Sequence, residues 1–480
     1  MRLIFRSFIS IAAFILPIVL TATLGLVTSV RTSFPKPADA DALTARMVAP
    51  SAPAYDPSKP TVAVVLGAQV HEITDTIGPY AAFKESGLYN VYMVADSKTP
   101  RSMGTRTAYT MTSALDVIPQ YTFAELDALL GGSPDIVVVP QMLGIDAPEN
   151  KPMLAYIREH AQGDTLTFSW CTGANVLAAA GVLDGKPATA HWGDIDRLEQ
   201  IYPQVQWQRG VRYVDAGNVL TTGGVTSGID GTLYLLSKLH GSAVAERVAR
   251  AWHYQPTIEL DATPTVEQYT IGPAESILLL NAAFDWSKRD LGVWVYDGIG
   301  DMELTAVLDA YPVSLGARTY TVADARRVVT TQYGLQLIPH WDVATLPAVD
   351  RFLVPGAPST ATTNASLTAV EGRIVAPIVR VHDSAQPRFA FEAPLEDLAR
   401  EIDVPTATFA TKRVEYRGSS LQLQGAGWPI LLVLQPLLIG GLGVGLARWI
   451  LRAYDRRRQQ RRIQQAEAAS ITLAVSARSR

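Results

Sequence analysis

Two stretches of this chain carry no charge for long enough to be poorly soluble as they stand, and they fix where the rest can fold. The first, Phe8 to Val30, follows Arg2 and Arg6; the second, Trp428 to Ala447, is followed by Arg448, Arg452, Arg456, Arg457, Arg458, Arg461 and Arg462. A helix spans a bilayer core with about 20 apolar residues, whereas a signal-peptide core has only about 7–15. The first stretch is read as an uncleaved anchor, with a cleaved signal as the alternative. The second is read as a true span rather than a buried core helix, although Gln435, Pro436 and its glycines interrupt it. Loops rich in Lys and Arg stay cytoplasmic, which puts both termini on the cytoplasmic side of the plasma (inner) membrane and the main domains on the other. Residues 1–31 are then an N-terminal transmembrane anchor or signal, 426–451 a transmembrane helix, and 452–480 a basic cytoplasmic tail, disordered or lying on the membrane surface.

A chain of 480 residues exceeds what one compact core organises. Its net charge of −4 gives no sign of a nucleic-acid partner. Residues 32–59 are rich in Pro, Ala, Ser and Asp and read as a linker. Order begins with Thr61 to Gly67, a continuous apolar run of the kind a parallel strand shows when it is buried on both faces. A helix at Pro79 to Ser86, a strand at Leu88 to Ala95, a helix at Phe123 to Leu130, a strand at Asp135 to Pro140 and a helix at about Glu149 to Ala161 follow. That alternation predicts an α/β fold with a flavodoxin-like, mostly parallel sheet and helices on both faces.

The strand Thr165 to Trp170 runs straight into Cys171-Thr172-Gly173 and a small-residue helix. Strand, sharp turn, nucleophile and helix make a nucleophile elbow, in which the turn pushes one side chain out at the carboxyl edge of the sheet. The helix amino terminus there is expected to favour the thiolate. Cys171 is the only cysteine, so it forms no internal disulfide and is either buried filler or chemistry. A strand Ala188 to Trp192 with His191, a helix Ile195 to Tyr202, a strand Val219 to Thr222, the turn Gly223-Gly224 and helices at Ile229 to Leu239 and Ala243 to Trp252 complete a domain at 60–255. After a linker at 256–287, motifs of this domain return in order. VYMVADS (91–97) reappears as TYTVADA (319–325), ALDVIPQYTFAEL (114–126) as GLQLIPHWDVATL (334–346), and PDIVVVP (134–140) as VDRFLVPG (349–356). We read a duplication, with a degenerate second domain at 288–415 that lacks the cysteine elbow and is structural or regulatory.

The block CTGANVLAAAGVLDGKPATAHW (171–192), with TTGGVTSGID (221–230) and AERVARAWHY (245–254), closely resembles the DJ-1/PfpI superfamily, also called class I glutamine amidotransferase-like. The resemblance covers about residues 60–255, and the second domain weakly. Within the superfamily it is nearest the isocyanide hydratase-like branch and the amidotransferase-like domains of AraC-type regulators. It implies Cys171 as nucleophile, Thr172 and Gly173 as the elbow turn, His191 as the family histidine and Asp75 as the acid beside the sulfur. Asp75 could instead be a helix N-cap, His191 a merely hydrogen-bonded residue, and Trp192 either packs or lines the pocket. Where the family commonly has Pro-Gly-Gly this chain has Pro140-Gln141-Met142, which puts the backbone oxyanion site in doubt and makes the Gln141 amide a substitute donor.

His71 and Glu72 lie beside Asp75 without a second His or Cys at ligand spacing, so no metal is expected, and no cofactor is implied. Family members dimerise, which implies a homodimer or an intramolecular pseudo-dimer of the two domains. The function expected is a membrane-anchored, cysteine-dependent hydratase or hydrolase of a small-molecule substrate. The alternative is a non-enzymatic redox or ligand sensor or scaffold at the membrane. No helix-turn-helix pattern follows the domain, so a nucleic-acid partner is not expected.

Overall fold

The computed structural model describes residues 2–37, 39, 47, 52–107, 110–111, 114–256, 269–270, 272–356, 365, 367–368, 370–384 and 386–478. They form two compact units, one of residues 1–27, 282–286 and 429–480, the other of residues 28–281 and 287–428. The expected linkers at 32–59 and 256–287 lie partly outside the described residues, and within the second a helix, Ser276–Phe284, is formed.

The smaller unit is helical. Arg2–Arg31 and Ile430–Arg478 are its long helices, and by length and composition their segments Ser7–Arg31 and Ile430–Ser470 could each cross a membrane. Glycines let their backbones meet: a Cβ on Gly443 would stand 2.1 Å from the Ala13 carbonyl oxygen. The tail is helical rather than disordered, continuing the second helix to Arg478.

In the larger unit a seven-stranded sheet runs in the order Tyr213–Asp215, Val219–Thr222, Leu166–Ser169, Ile136–Val139, Thr61–Val65, Asn90–Ala95, Tyr121–Thr122. Every pairing is parallel except that of Tyr213–Asp215 with Val219–Thr222. The apolar run at its centre works as the sequence demands. Val62 and Val64 face a core built from Ile77, Phe83, Ile229 and Val248, while Ala63 and Val65 face one built from Leu126, Ile157 and Leu177. Helices therefore cover both faces, the arrangement a parallel sheet needs to bury its apolar strands.

Two local expectations change. The first helix is Ile73–Ser86, not Pro79 to Ser86, because Glu72 caps it: its carboxylate accepts a hydrogen bond from Asp75 N at 2.6 Å. Pro79 thus sits inside the helix, and Asp75 lies in its first turn rather than at the cap. The strand expected at Ala188 to Trp192 shrinks to Pro187–Ala188, paired with Gln206–Trp207, and leaves His191 in a loop.

A second sheet, all parallel, runs Trp341–Asp342, Ala317–Ala323, Arg289–Trp294, Arg351–Val354, Ile378–Arg380. Between the two lies a third sheet of short strands, in which Leu115–Val117 pairs antiparallel with Gln336–Pro339. Val117 stands opposite Leu337, the residue with which the repeated motif aligns it. Helix Ile73–Ser86 also packs against helix Asp301–Ala310. The two α/β halves, 60–255 and 288–415, are thereby parts of one compact unit.

Candidate active site

Leu166–Ser169 ends beside Ile136–Val139, and Trp170 N still donates to Val139 O at 3.1 Å. The next residue leaves the ladder. Cys171 has φ 53°, left-handed backbone that is costly for a side chain with a Cβ, and Gly173 N returns to Trp170 O at 2.8 Å to close the turn. Gly173 is required by contact: a Cβ there would meet Val139 O at 2.1 Å. The second sheet repeats the register, with Val381 N donating to Val354 O at 3.2 Å, so the place of Cys171 is taken there by His382.

Cys171 is only 5% exposed. Its Sγ–H donates to Gln141 Oε1 at 3.0 Å, while Gln141 Nε2, also buried, has no partner among the described residues. Gln141 O accepts from Glu72 N at 2.9 Å, which ties the strand end to the start of the Asp75 helix. The Asp75 carboxyl neighbours the thiol closely enough for its charge to raise the cost of forming the thiolate. It is fully buried with no donor among the described residues on either oxygen, and burial first, then the charge of Asp309, push its pKa up to about 8. The raised pKa favours the neutral form of Asp75 near neutral pH, while the thiol donates to Gln141 Oε1.

The thiol is pushed well above its usual value, by burial first and then by the charges of Asp75 and Glu72. Both causes work against the thiolate that the elbow is expected to favour. The helix below it, Gly173–Ala179, has only 7 residues, and its dipole does not outweigh an enclosure of carboxyl groups.

His191 is held by the second half of the unit. Nδ1 accepts from Gly193 N at 3.1 Å and faces Arg413 Nη1 at 3.3 Å, which places the ring proton on Nε2, 3.3 Å from Arg413 O. Burial and then the Arg413 charge keep the ring neutral. Both nitrogens are occupied away from the sulfur, so the structure brings Cys171, Asp75 and Gln141 together and sets His191 beside them, turned to Arg413.

Sequence reasoning missed Asp194. Its carboxylate accepts from Thr172 Oγ1 at 2.7 Å and from Arg106 Nη2 at 2.8 Å, so it fixes the elbow residue and a buried guanidinium together. Burial pushes its pKa up, but the Arg106 charge and hydrogen bonds prevail and hold it well below the carboxylate range. A signal was present: Asp194 stands at the N-cap of helix Ile195–Ile201, yet its side chain does not cap that helix. Trp192 lines a cavity of about 20 Å³ with Tyr269, Arg212 and Glu415, and Lys412 Nζ sits 5.0 Å from its ring centre. His71 Nε2 accepts from Gly67 N at 3.0 Å, and among the described residues no group of three His, Cys, Asp or Glu is placed to hold a metal.

The DJ-1/PfpI family model matches residues 60–238. Isonitrile hydratase of Pseudomonas putida is 32% identical over 202 residues, which cover 42% of this chain and 81% of that one. The HTH-type transcriptional regulator CdhR of Pseudomonas aeruginosa is 40% identical over 78 residues, 16% of this chain and 23% of its own, so part of this domain also occurs in a regulator. Among solved structures, a THiJ/PfpI family protein from Pseudomonas syringae shares 22% identity over 44% of this chain and 81% of its own, with a TM-score of 0.35. With the elbow cysteine, its neighbouring acid and a relative covered over most of its length, the chain belongs to the DJ-1/PfpI family.

Proposed function

We propose that this chain is a cysteine-dependent hydratase or hydrolase of the isonitrile hydratase type, tethered to a membrane by its terminal apolar helices. The observation that carries the reading is the buried trio of Cys171, Asp75 and Gln141: a thiol on a left-handed turn, a buried carboxyl near it whose pKa is raised, and an amide with an unused N–H. An isonitrile needs sulfur to bond to its terminal carbon while that carbon gains a proton. The Asp75 carboxyl gives its proton to the carbon and takes up the one released by the Cys171 thiol, which leaves a thioimidate. Water then adds to that carbon, the C–S bond breaks, and an N-substituted formamide departs with the thiol restored. Gln141 Nε2 is the donor available to charge developing at the sulfur or the substrate nitrogen, in place of the absent Gly-Gly backbone. Thr172 and Gly173 shape the turn, and His191 and Trp192 form its flank.

The antiparallel pairing of Val117 with Leu337 supports an intramolecular pseudo-dimer, in which the second half stands where a partner subunit would. The basic run from Arg448 to Arg462 supports a cytoplasmic C-terminus and an extracytoplasmic α/β unit. The purified full-length protein in detergent is expected to hydrate members of an isonitrile panel and to lose this with Cys171→Ala; turnover that survives the substitution refutes the nucleophile. A second reading, a redox or ligand sensor at the membrane, is favoured by the occurrence of part of this domain in the regulator CdhR. It requires no turnover together with oxidation of Cys171 under mild peroxide, read by mass spectrometry.

A further inference from the structure

One short helix is built the wrong way round for water. Ser276–Phe284 carries no charged residue, and its one amide side chain points inward: Asn281, 1% exposed, donates from Nδ2 to Thr406 Oγ1 at 3.0 Å and to Ser314 O at 3.2 Å. The backbone carbonyl of Asn281 accepts from Lys288 Nζ at 2.7 Å. Ile277 and Phe284 are buried as well, but Leu279 is 57% exposed, and Trp286, just past the helix, is 63% exposed. The indole N–H of Trp286 already donates to Ala283 O at 3.1 Å, so what the ring shows outward is hydrocarbon. A helix on a wetted surface turns its polar residues out and its apolar ones in, the reverse of Asn281 and Leu279.

The long helices fix the level of this segment. Residues 282–286 belong to the helical unit, and within it Ala283 meets the first long helix backbone to backbone: a Cβ on Gly25 would stand 2.1 Å from Ala283 O. Gly25 is about 27 Å along the helix from Ser7, where the apolar segment begins, and a bilayer core is about 30 Å thick. The contact therefore falls at the end of the apolar segment away from Ser7, where a bilayer core gives way to headgroups. The second long helix begins at the same level. The two run antiparallel, since a Cβ on Gly440 would meet the Phe14 ring at 2.6 Å while Ser7 lines a groove with Arg452. From Phe14 it is about 16 Å along the first helix to Gly25, and from Gly440 about 15 Å back along the second to Ile430. Trp428, just ahead of Ile430, is 45% exposed. Trp is the residue enriched at that depth of a membrane, and a helix with an apolar outer side rests in the plane of the interface. We propose that Ser276–Phe284 with Trp286 is a third membrane contact of this protein, an interfacial element whose Leu279 and Trp286 enter the bilayer at headgroup level. The proposal rests on the reading of the two long helices as membrane spans, and it makes lipid the partner of this exposed patch. The charged residues Glu275, Asp285 and Arg289 flank the segment, as a headgroup region allows.

The test measures depth in the full-length protein, reconstituted into vesicles of phosphatidylcholine and phosphatidylglycerol. Cys171 is the only cysteine, so in a Cys171→Ala chain a nitroxide can be attached to one introduced cysteine at a time. Labels are placed with Leu279→Cys and Trp286→Cys. Leu442→Cys, within the second apolar segment, is the reference for the bilayer core, and Glu246→Cys, on the surface of the α/β unit, the reference for water. Power saturation in electron paramagnetic resonance compares collisions with oxygen, which concentrates in lipid, against collisions with a water-soluble nickel chelate. The ratio of the two at positions 279 and 286 is expected to be several-fold above that at 246 and below that at 442. A ratio at either position equal to that at 246, while 442 reads as core, overturns the proposal and leaves the two spans standing. So do few collisions with either reagent, the sign that a protein partner or a second copy of the chain covers the patch. A label at 442 that reads as water sinks the membrane reading, and this proposal with it. If Trp286→Cys does not fold, Leu279→Cys alone decides.

Discussion

Replacing Asp75 by Asn should stabilise the protein while it destroys the site. The native carboxyl has its pKa pushed up from 3.8 to about 8, so between those values the folded chain holds a proton that the unfolded chain has released. Native protein then binds more protons than unfolded protein, and stability falls as pH rises through this window and levels off above about 8. At pH 7 the unfolded state gains about 4 kcal/mol by ionising a carboxyl that the fold keeps neutral, and at pH 5 about 2 kcal/mol, at 1.36 kcal/mol per pH unit beyond 3.8. Asn has the same shape, still offers an N–H to the sulfur and cannot ionise, so it removes the cost. Urea unfolding of the full chain in detergent, followed through its 9 tryptophans, should show Asp75→Asn more stable by about 4 kcal/mol at pH 7, with the advantage gone near pH 4. The same variant should fail to turn over substrate. If Asp75→Asn is less stable than its parent at pH 7, or if its advantage is the same at pH 5 and pH 7, Asp75 is not a buried neutral acid and the proton relay fails with it.

Gly173→Ala places a Cβ 2.1 Å from Val139 O, a contact with backbone on both sides that side-chain rotation cannot relieve. A loss of roughly 3 kcal/mol or more of stability and of Cys171 reactivity is expected, and a melting temperature within a degree of the parent would contradict the turn geometry. Asp194→Asn strands the Arg106 guanidinium, whose side chain is 12% exposed, and should cost roughly 3–5 kcal/mol at neutral pH. Because the Asp194 carboxylate is held below its ordinary range, its contribution in the parent is complete above about pH 4 and is lost only on further acidification. A variant that matched the parent at pH 7 would show Arg106 to be paired elsewhere.

The fold was legible where periodicity is local. The run Thr61 to Gly67 declared a strand buried on both faces, and the change from strand to small-residue helix at Cys171 declared the elbow. What escaped depends on contacts distant in sequence. The Thr74–Asp309 bond joins residues 235 positions apart, and Arg413 reaches His191 across 222. Nothing in the neighbourhood of Asp309 marks it as buried against Thr74, since a single acid on a helix ordinarily faces water. The surroundings of the thiol escaped for a related reason. A helix start can be read from the sequence beside Cys171, whereas the carboxyls that surround the sulfur come partly from elsewhere. Asp194 carried a local sign, an acid at a helix start, but only the structure shows that it serves Thr172 and Arg106 instead of the helix.

The pairing of Leu115–Val117 with Gln336–Pro339 joins two segments of the same polypeptide. An association between separate copies is lost on dilution, whereas halves joined by a covalent connection meet at an effective concentration that no dilution changes. The Cys171 site, with Arg413 of the far half held against His191, therefore keeps its composition at any concentration of the protein. The joining also frees the two halves from matching each other. A substitution in a symmetric dimer appears twice and must suit both copies, but here His382 can differ from Cys171 without altering the pocket that its half helps to build.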